Sequence, residues 1–133
     1  MVLQLDAVRP VVVVGDTFYV GHLWVVVARN AGGEFVAFNI TSLRPGIDTT
    51  CVLEPTDHPS VDHKSVIYYA RGMLITSDMQ EQLDDERQRF MPGAQASAAL
   101  IKKIQQGALE SLQTPRNLKA IIAAFLGPTK DPK

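Results

Sequence analysis

Two Asp-His pairs lie close together in the polar segment 54–65, and they are the residues in this sequence best suited to proton transfer. The first pair is Asp57-His58 and the second is Asp62-His63. Histidine titrates near neutrality, which suits general acid–base catalysis. A carboxylate beside it can also fix the tautomer of its ring. The segment is therefore a candidate catalytic loop.

Each histidine also has a structural interpretation. Asp57-His58-Pro59 fits a turn in which the aspartate accepts a backbone hydrogen bond. The third histidine, His22, opens a very apolar run, where a histidine serves structure more often than chemistry. His58 and His63 could join the aspartates in a metal site, but their five-residue spacing is not a recognised ligand pattern. We therefore expect no metal and no cofactor.

A second polar group ends the apolar run before residue 45. Asn39, Thr41 and Ser42 close that run, and Arg44 follows two residues later. Two hydroxyls and a guanidinium at the end of a strand can bind a phosphate. The alternative is an ordinary strand exit with a solvated arginine.

Further candidates follow the second Asp-His pair. Lys64 could stabilise a charged phosphorane, as Arg44 could, and Ser65 could contact a substrate. Tyr68 and Tyr69 are consecutive, so in a strand one of them faces outward and could stack on a base. Trp24 could also stack, although a tryptophan in such an apolar strand is more often core.

Period-two and β-branched patterns predict the elements that position these residues. Strands are predicted at 8–14, 17–20, 22–28, 34–41, 51–53 and 65–75, the last with a bend at Gly72.

A helical period follows the predicted strands. Ser77 and Gln80 predict a capping box for a helix to about Phe90, and Pro92 suits the first turn of a second helix. The apolar stripe of that second helix is Leu100, Ile101, Ile104, Ala108 and Leu112. Thr114-Pro115 precedes a third helix that ends at Gly127.

The predicted fold class is α+β. Short strands without crossover helices favour an antiparallel sheet that curls into a small barrel, over about residues 7–75. About three helices over 76–127 and a frayed tail at 128–133 complete a single domain.

Composition limits the functional classes. The net charge is −1, and residues 1–75 carry five basic and seven acidic side chains, so any contact with RNA must be local. The single cysteine, Cys51, excludes an internal disulfide and reads as a small buried hydrophobe. The sequence shows no signal-peptide pattern and no membrane span, which predicts a cytoplasmic location without membrane partners.

Several short motifs resemble those of the MazF/PemK-like toxins. They are Gly15-Asp16, the valine-rich run 23–27, the strand 36–42 that ends in threonine and serine, and the strand 64–75. Together they cover roughly residues 10–78. The resemblance implies an SH3-like barrel, usually a homodimer, that cleaves RNA without a metal and is neutralised by an antitoxin protein.

The resemblance also bears on particular residues. Thr41 and Ser42 match the family's threonine-serine element, and His22 stands where the family commonly has an arginine before a proline. One hypothesis is thus a toxin-like endoribonuclease, in which His58 or His63 acts as base and another histidine as acid. Arg44 or Lys64 would stabilise the charged phosphate. The other hypothesis is a non-catalytic protein-interaction module, in which the helices dimerise or dock a partner.

Overall fold

An antiparallel sheet followed by helices forms the framework, as the computed structural model shows for residues 13–79 and 91–127. The strands are β1 (Thr17–Val20), β2 (His22–Arg29), β3 (Phe35–Ser42), β4 (Val52–Leu53), β5 (Ser65–Ile75) and β6 (Met91–Pro92). Their order is β4-β5-β3-β2-β1-β6, with antiparallel pairing throughout. The helices are α1 (Ala98–Glu110) and α2 (Arg116–Leu126), and residues 77–79 are also helical.

The predicted α+β class is confirmed, whereas closure of the sheet into a barrel stays a prediction. Most of the strand predicted at 8–14 lies outside the described residues, and Val13 and Val14 are not in a strand. The rest of the helix predicted to Phe90 and the tail predicted at 128–133 also lie outside them.

Three details of the helical predictions are wrong. Thr76 caps the helix that starts at residue 77, because its Oγ1 accepts the backbone N–H of Met79 at 3.3 Å. Pro92 lies in β6 opposite Phe18 and begins no helix. Leu112 follows the end of α1 and is 97% exposed, so it leaves the predicted apolar stripe.

The hairpin between β2 and β3 is organised by one side chain. Asn30 Oδ1 accepts the backbone N–H of Gly32 at 3.0 Å and that of Glu34 at 2.9 Å. Gly33 has φ of 83°, a conformation that favours glycine. The turn therefore has a clear chemical basis, since an asparagine can bond to backbone two residues on and glycine supplies the positive φ.

Two register shifts deform the sheet. The β2–β3 register changes by one residue between Val26 and Ala28, which makes Val27 the extra residue of a β-bulge. Gln105 of α1 reaches back to this bulge, and its Nε2 donates to the carbonyl oxygen of Val27 at 2.8 Å. The bulge and the helix are thus tied together through a buried hydrogen bond.

The second shift bends β5. Ala37 pairs with Met73 but Asn39 pairs with Tyr68. Four residues of β5, 69–72, therefore lie opposite a single residue of β3, and β5 bends there. A Cβ at Gly72 would lie 2.5 Å from Phe38 Cε1 and 2.6 Å from Leu118 Cδ1, so only glycine fits there. The bend predicted at Gly72 lies within this shift.

The sheet buries its two faces differently. One face packs against the helices in a large apolar core. Its members include Leu23, Val25, Phe38, Ile40, Ile67 and Tyr69 from the strands and Leu100, Ile104, Leu118 and Ile122 from the helices. The opposite face holds a smaller cluster of Phe18, Val26, Phe35, Ala37 and Ile75. In the described ranges, no helix is long and apolar enough to cross a bilayer.

Gly107 of α1 packs directly against Tyr69 of the sheet. Replacing it with alanine places a Cβ that overlaps the Tyr69 hydroxyl, which donates to the Ile104 carbonyl at 2.8 Å. Helix propensity alone would favour alanine by about 1 kcal/mol. Overpacking costs roughly 1–3 kcal/mol, so we expect Gly107→Ala to destabilise the protein, as measured by urea unfolding.

A double-mutant cycle isolates the cause. In a Tyr69→Phe background the hydroxyl is gone, so Gly107→Ala should cost at least about 1 kcal/mol less than in the wild type. Equal costs in the two backgrounds would show that another contact excludes the Cβ.

Candidate functional site

Ser42, His63 and Asp62 form a continuous chain of hydrogen bonds at the end of the sheet. Ser42 Oγ lies 2.7 Å from His63 Nε2, and His63 Nδ1 lies 2.5 Å from Asp62 Oδ1. Because the carboxylate can only accept, Nδ1 carries a proton, and in the neutral ring Nε2 accepts from the serine hydroxyl. The side chains of His63 and Asp62 are 59% and 87% exposed, so a ligand can reach them.

The ends of two paired strands position this chain. Ser42 is the last residue of β3 and pairs with Ser65, the first residue of β5. Ser65 is buried, and its Oγ donates to the backbone carbonyl of His63 at 2.9 Å. Ser65 therefore holds the backbone of His63 in place, and the imidazole ring of His63 makes the contact with Ser42.

The hydrogen-bonded chain opens into a cleft of about 260 Å³, here called the edge cleft. Its lining residues are His22, Leu23, Ile40, Thr41, Ser42, Ser60, Val61, Asp62, His63 and Ser65. His22 starts β2, one position beyond the Leu23–Ile40 pair, which places it across from Thr41. Two of the three histidines thus share one cleft.

A second cleft of about 360 Å³, the face cleft, continues onto the sheet face that lies away from the helices. It is lined by His22, Trp24, Asn39, Thr41, Arg44, Tyr68 and Arg71. His22 and Thr41 line both clefts, so together the clefts run from the sheet edge onto its face.

Two arginines flank one tyrosine in the face cleft. The guanidinium carbons of Arg44 and Arg71 lie 5.9 and 5.8 Å from the centre of the Tyr68 ring, within range of cation–π attraction. Arg44 Nη1 also approaches Thr41 Oγ1 at 3.4 Å. This concentration of positive charge, beside an aromatic ring, suits an anionic ligand with a flat group.

Arg71 is the functional candidate that sequence reasoning missed. Positions 68 and 71 face opposite sides in a regular strand. The register shift over 69–72 turns the strand between them, and this brings Arg71 to the side of Tyr68. The only signal in the sequence was the glycine at position 72. It predicted a bend in the strand, but it did not predict the side to which Arg71 would turn.

His58 is a correction to the predicted catalytic set. It is only 3% exposed. Its Nδ1 accepts the backbone N–H of Ser60 at 3.0 Å, so Nε2 donates to the carbonyl oxygen of Ala94 at 2.7 Å. Both ring nitrogens are thus held by backbone, and His58 fastens the loop to the segment before α1.

The other predicted residues fall into two groups. Asn39, Thr41, Arg44 and Tyr68 line the face cleft, and their contacts with a ligand stay a prediction. Lys64 does not line either cleft, and its ammonium pairs with Glu54 at 3.6 Å. Arg71, in contrast, lines the face cleft.

Cys51 lies in the core and is 2% exposed. Burial raises the pKa of its thiol, which keeps it protonated. The thiol of Cys51 is therefore buried and lines neither the edge cleft nor the face cleft described above. Over residues 13–79 and 91–127, no group of three or more His, Cys, Asp or Glu side chains is placed to hold a metal ion.

Comparison with known proteins gave no match, whether to a family model, to a curated protein or to a solved structure.

The loop that carries Arg44 is anchored by Asp48. Ser111 Oγ donates to Asp48 Oδ2 at 2.5 Å, and the backbone N–H of Thr50 donates to Oδ1 at 2.9 Å. Partial burial tends to raise the pKa of this carboxyl, but hydrogen bonds from Ser111 and Thr50 outweigh it and lower the pKa.

A lowered pKa predicts a loss of stability in acid. The stabilisation by Asp48 is complete above the ordinary aspartate pKa of about 3.9 and is lost as pH falls through the lower folded value. We expect Asp48→Asn to lower the free energy of unfolding by about 1 kcal/mol at pH 7, and the difference from wild type to shrink below about pH 4. Urea unfolding between pH 3 and pH 7 measures this. Thr49→Ala, at an exposed neighbour, is the control, and a difference that stays constant down to pH 3 would contradict the assignment.

Proposed function

We propose that this protein is a toxin-like endoribonuclease that cleaves RNA without a metal, by attack of a ribose 2′-hydroxyl on the adjacent phosphate. The observation that carries the proposal is the Ser42–His63–Asp62 chain in the edge cleft, which adjoins a face cleft that contains two arginines. A base and a phosphate-binding group must lie side by side for this reaction.

His63 is the base in this proposal. In the neutral ring its Nε2 already accepts a hydrogen bond from the Ser42 hydroxyl, at 2.7 Å. A substrate 2′-hydroxyl that takes the place of the serine hydroxyl, or bonds through it, meets the same lone pair. Asp62 holds the tautomer through Nδ1 and stabilises the imidazolium that forms.

The remaining residues of the clefts complete the reaction. As the O2′–P bond forms and the P–O5′ bond breaks, charge grows on the phosphate oxygens, where Arg44 and Arg71 can stabilise it. His22, in the same cleft as His63, gives a proton to the leaving O5′. The products are a 2′,3′-cyclic phosphate and a 5′-hydroxyl.

Acyl transfer by Ser42 is less well supported, although hydrogen bonds that link a serine to a histidine and the histidine to an aspartate suggest it. Such enzymes commonly use the backbone N–H of the residue after the nucleophile to bind the oxyanion. Here the N–H of Leu43 donates to the carbonyl oxygen of Lys64 at 3.3 Å. The guanidinium groups of the adjoining face cleft favour a phosphate over an acyl group.

The biological setting of the proposal follows the resemblance of the sequence to MazF/PemK-like toxins. A ribonuclease of that kind acts in the cytoplasm, commonly as a homodimer, and is held inactive by an antitoxin protein. The motifs at Gly15-Asp16 and Thr41-Ser42 support this setting.

The proposal predicts that His63→Ala and Asp62→Asn reduce RNA cleavage. Loss of a general base typically costs 10²- to 10⁴-fold in rate, and the smaller loss is expected for Asp62→Asn, because the base itself remains. The rate of release of 2′,3′-cyclic phosphate ends from a labelled RNA measures this. Arg29→Ala removes an exposed charge at the other end of β2 and is the control for a change of surface charge away from the clefts. Intact RNA after incubation with wild-type protein would sink the proposal.

The two Asp-His pairs predict opposite phenotypes. His58→Leu should lower the free energy of unfolding by roughly 1–3 kcal/mol, because the backbone groups of Ser60 and Ala94 lose their partner. Cleavage per folded molecule should remain within about twofold of wild type, in contrast to the effect of His63→Ala. Thermal unfolding and cleavage rates of both variants, at a temperature where both are folded, decide between the roles. A stable but inactive His58→Leu protein would reverse the assignment.

The second candidate function is a protein-interaction module. It is favoured by the exposed apolar side chains near the ends of the helices, where Leu112 is 97%, Phe125 41% and Leu126 44% exposed. A module of this kind would leave RNA intact and would be insensitive to His63→Ala.

A further inference from the structure

The side chain of Asn39 occupies an unusual position in the face cleft. It is 3% exposed, and its carbonyl oxygen, Oδ1, has no hydrogen-bond partner. A buried acceptor without a partner destabilises a fold, and one that persists calls for an explanation. Asn39 lines the face cleft, but Oδ1 itself is enclosed, so the amide must turn about its Cβ–Cγ bond for a ligand there to supply the missing donor.

Asn39 stands at the centre of the aromatic residues of that cleft. Across the sheet it pairs with Trp24 of β2 on one side and with Tyr68 of β5 on the other. The indole N–H of Trp24 donates to the carbonyl oxygen of Val20 at 3.0 Å, so it is not the donor that Asn39 lacks. Tyr68 is half-buried and presents its ring between two guanidinium groups.

We propose that the face cleft is a base-recognition pocket for a nucleobase with an exocyclic amino group. The amino group donates to Asn39 Oδ1, the base lies against the Tyr68 ring, and Arg44 and Arg71 contact the flanking phosphates. The inference rests on the proposed function in that it takes a polynucleotide as the ligand.

The chemistry of the bases makes this pocket selective. Adenine and cytosine present an amino donor at the position where uracil presents a carbonyl oxygen. Two acceptors that face each other leave both unpaired, and sites with buried polar groups reject a ligand that leaves them so. Stacking on an aromatic ring contributes affinity for any base, so the selectivity depends on Asn39.

Binding of uncleavable oligonucleotides tests the pocket separately from catalysis. The probes are 2′-fluoro homopolymers of adenosine and of purine riboside, which is adenosine without its amino group, at a length of roughly eight nucleotides. Neither has a 2′-hydroxyl, so neither can be cleaved by the proposed reaction. We expect the adenosine probe to bind about tenfold more tightly in fluorescence anisotropy.

Asn39→Leu is the matching protein variant. It replaces the unpaired amide with an apolar group of similar size, so it should be at least as stable as the wild type towards urea. It should also bind the two probes with equal affinity. If the amide were needed only for the fold, the variant would be less stable and would keep the preference for adenosine.

Every result of these measurements bears on the inference. Equal binding of the two probes by wild-type protein, or no binding of either, overturns it. A preference for adenosine that survives in Asn39→Leu also overturns it. A preference that is lost in Asn39→Leu supports the pocket even if wild-type protein cleaves no RNA, in which case only the proposed function fails. If wild-type protein cleaves RNA but binds the two probes equally, the base-recognition pocket is ruled out and the proposed function stands.

Discussion

The pairing of β3 with β5 is the constraint on which the rest of the site depends. At one end it sets Ser42 opposite Ser65, which fixes the backbone of His63 within reach of the serine hydroxyl. In the middle, the shift over 69–72 bends β5 and turns Arg71 towards Tyr68. A regular ladder would still set Ser42 opposite Ser65, but it would not turn Arg71 towards Tyr68. The same bend requires glycine at position 72, since Phe38 and Leu118 fill the space where a Cβ would lie.

Burial separates two dipeptides of identical composition. In the first pair Asp57 Oδ2 accepts the backbone N–H of Glu54 at 2.7 Å, and His58 is enclosed with both nitrogens on backbone partners. In the second pair Asp62 and His63 bond to each other and stay open to solvent. The first pair shapes the loop, and its anchor at Ala94 lets the second pair stand at a fixed place beside the sheet.

The sequence predicted the elements well and the contacts less well, for reasons that differ from residue to residue. The strand that ends in Thr41 and Ser42 follows from alternation, which is a local property. That His58 is buried depends on Ala94, thirty-six residues away in sequence, and no local pattern contains that distance. The sequence placed His58 and His63 in one segment but could not say which of them bonds to Ser42. The β3–β5 register decides that it is His63.

The acidic composition of the β-rich part does not carry over to the clefts. Each carboxylate of this part that the structure describes has a partner elsewhere or within its own loop. Asp16 accepts from Val13, Glu34 from Asn30, Asp48 from Ser111, and Glu54 and Asp57 lie beside Lys64 and Lys103. Among these described carboxylates, Asp62 alone lines a cleft, and its charge is directed at His63.

The local balance of charge in the clefts is therefore positive although the chain as a whole is not. Arg44 and Arg71 stand in the face cleft without a carboxylate among its lining residues. Exposed charges farther away than about 8–10 Å are largely screened at physiological ionic strength, so what a bound phosphate meets is set by its immediate neighbours. A net charge of −1 thus limits binding over a broad basic surface, but it does not limit binding at two arginines beside an aromatic ring.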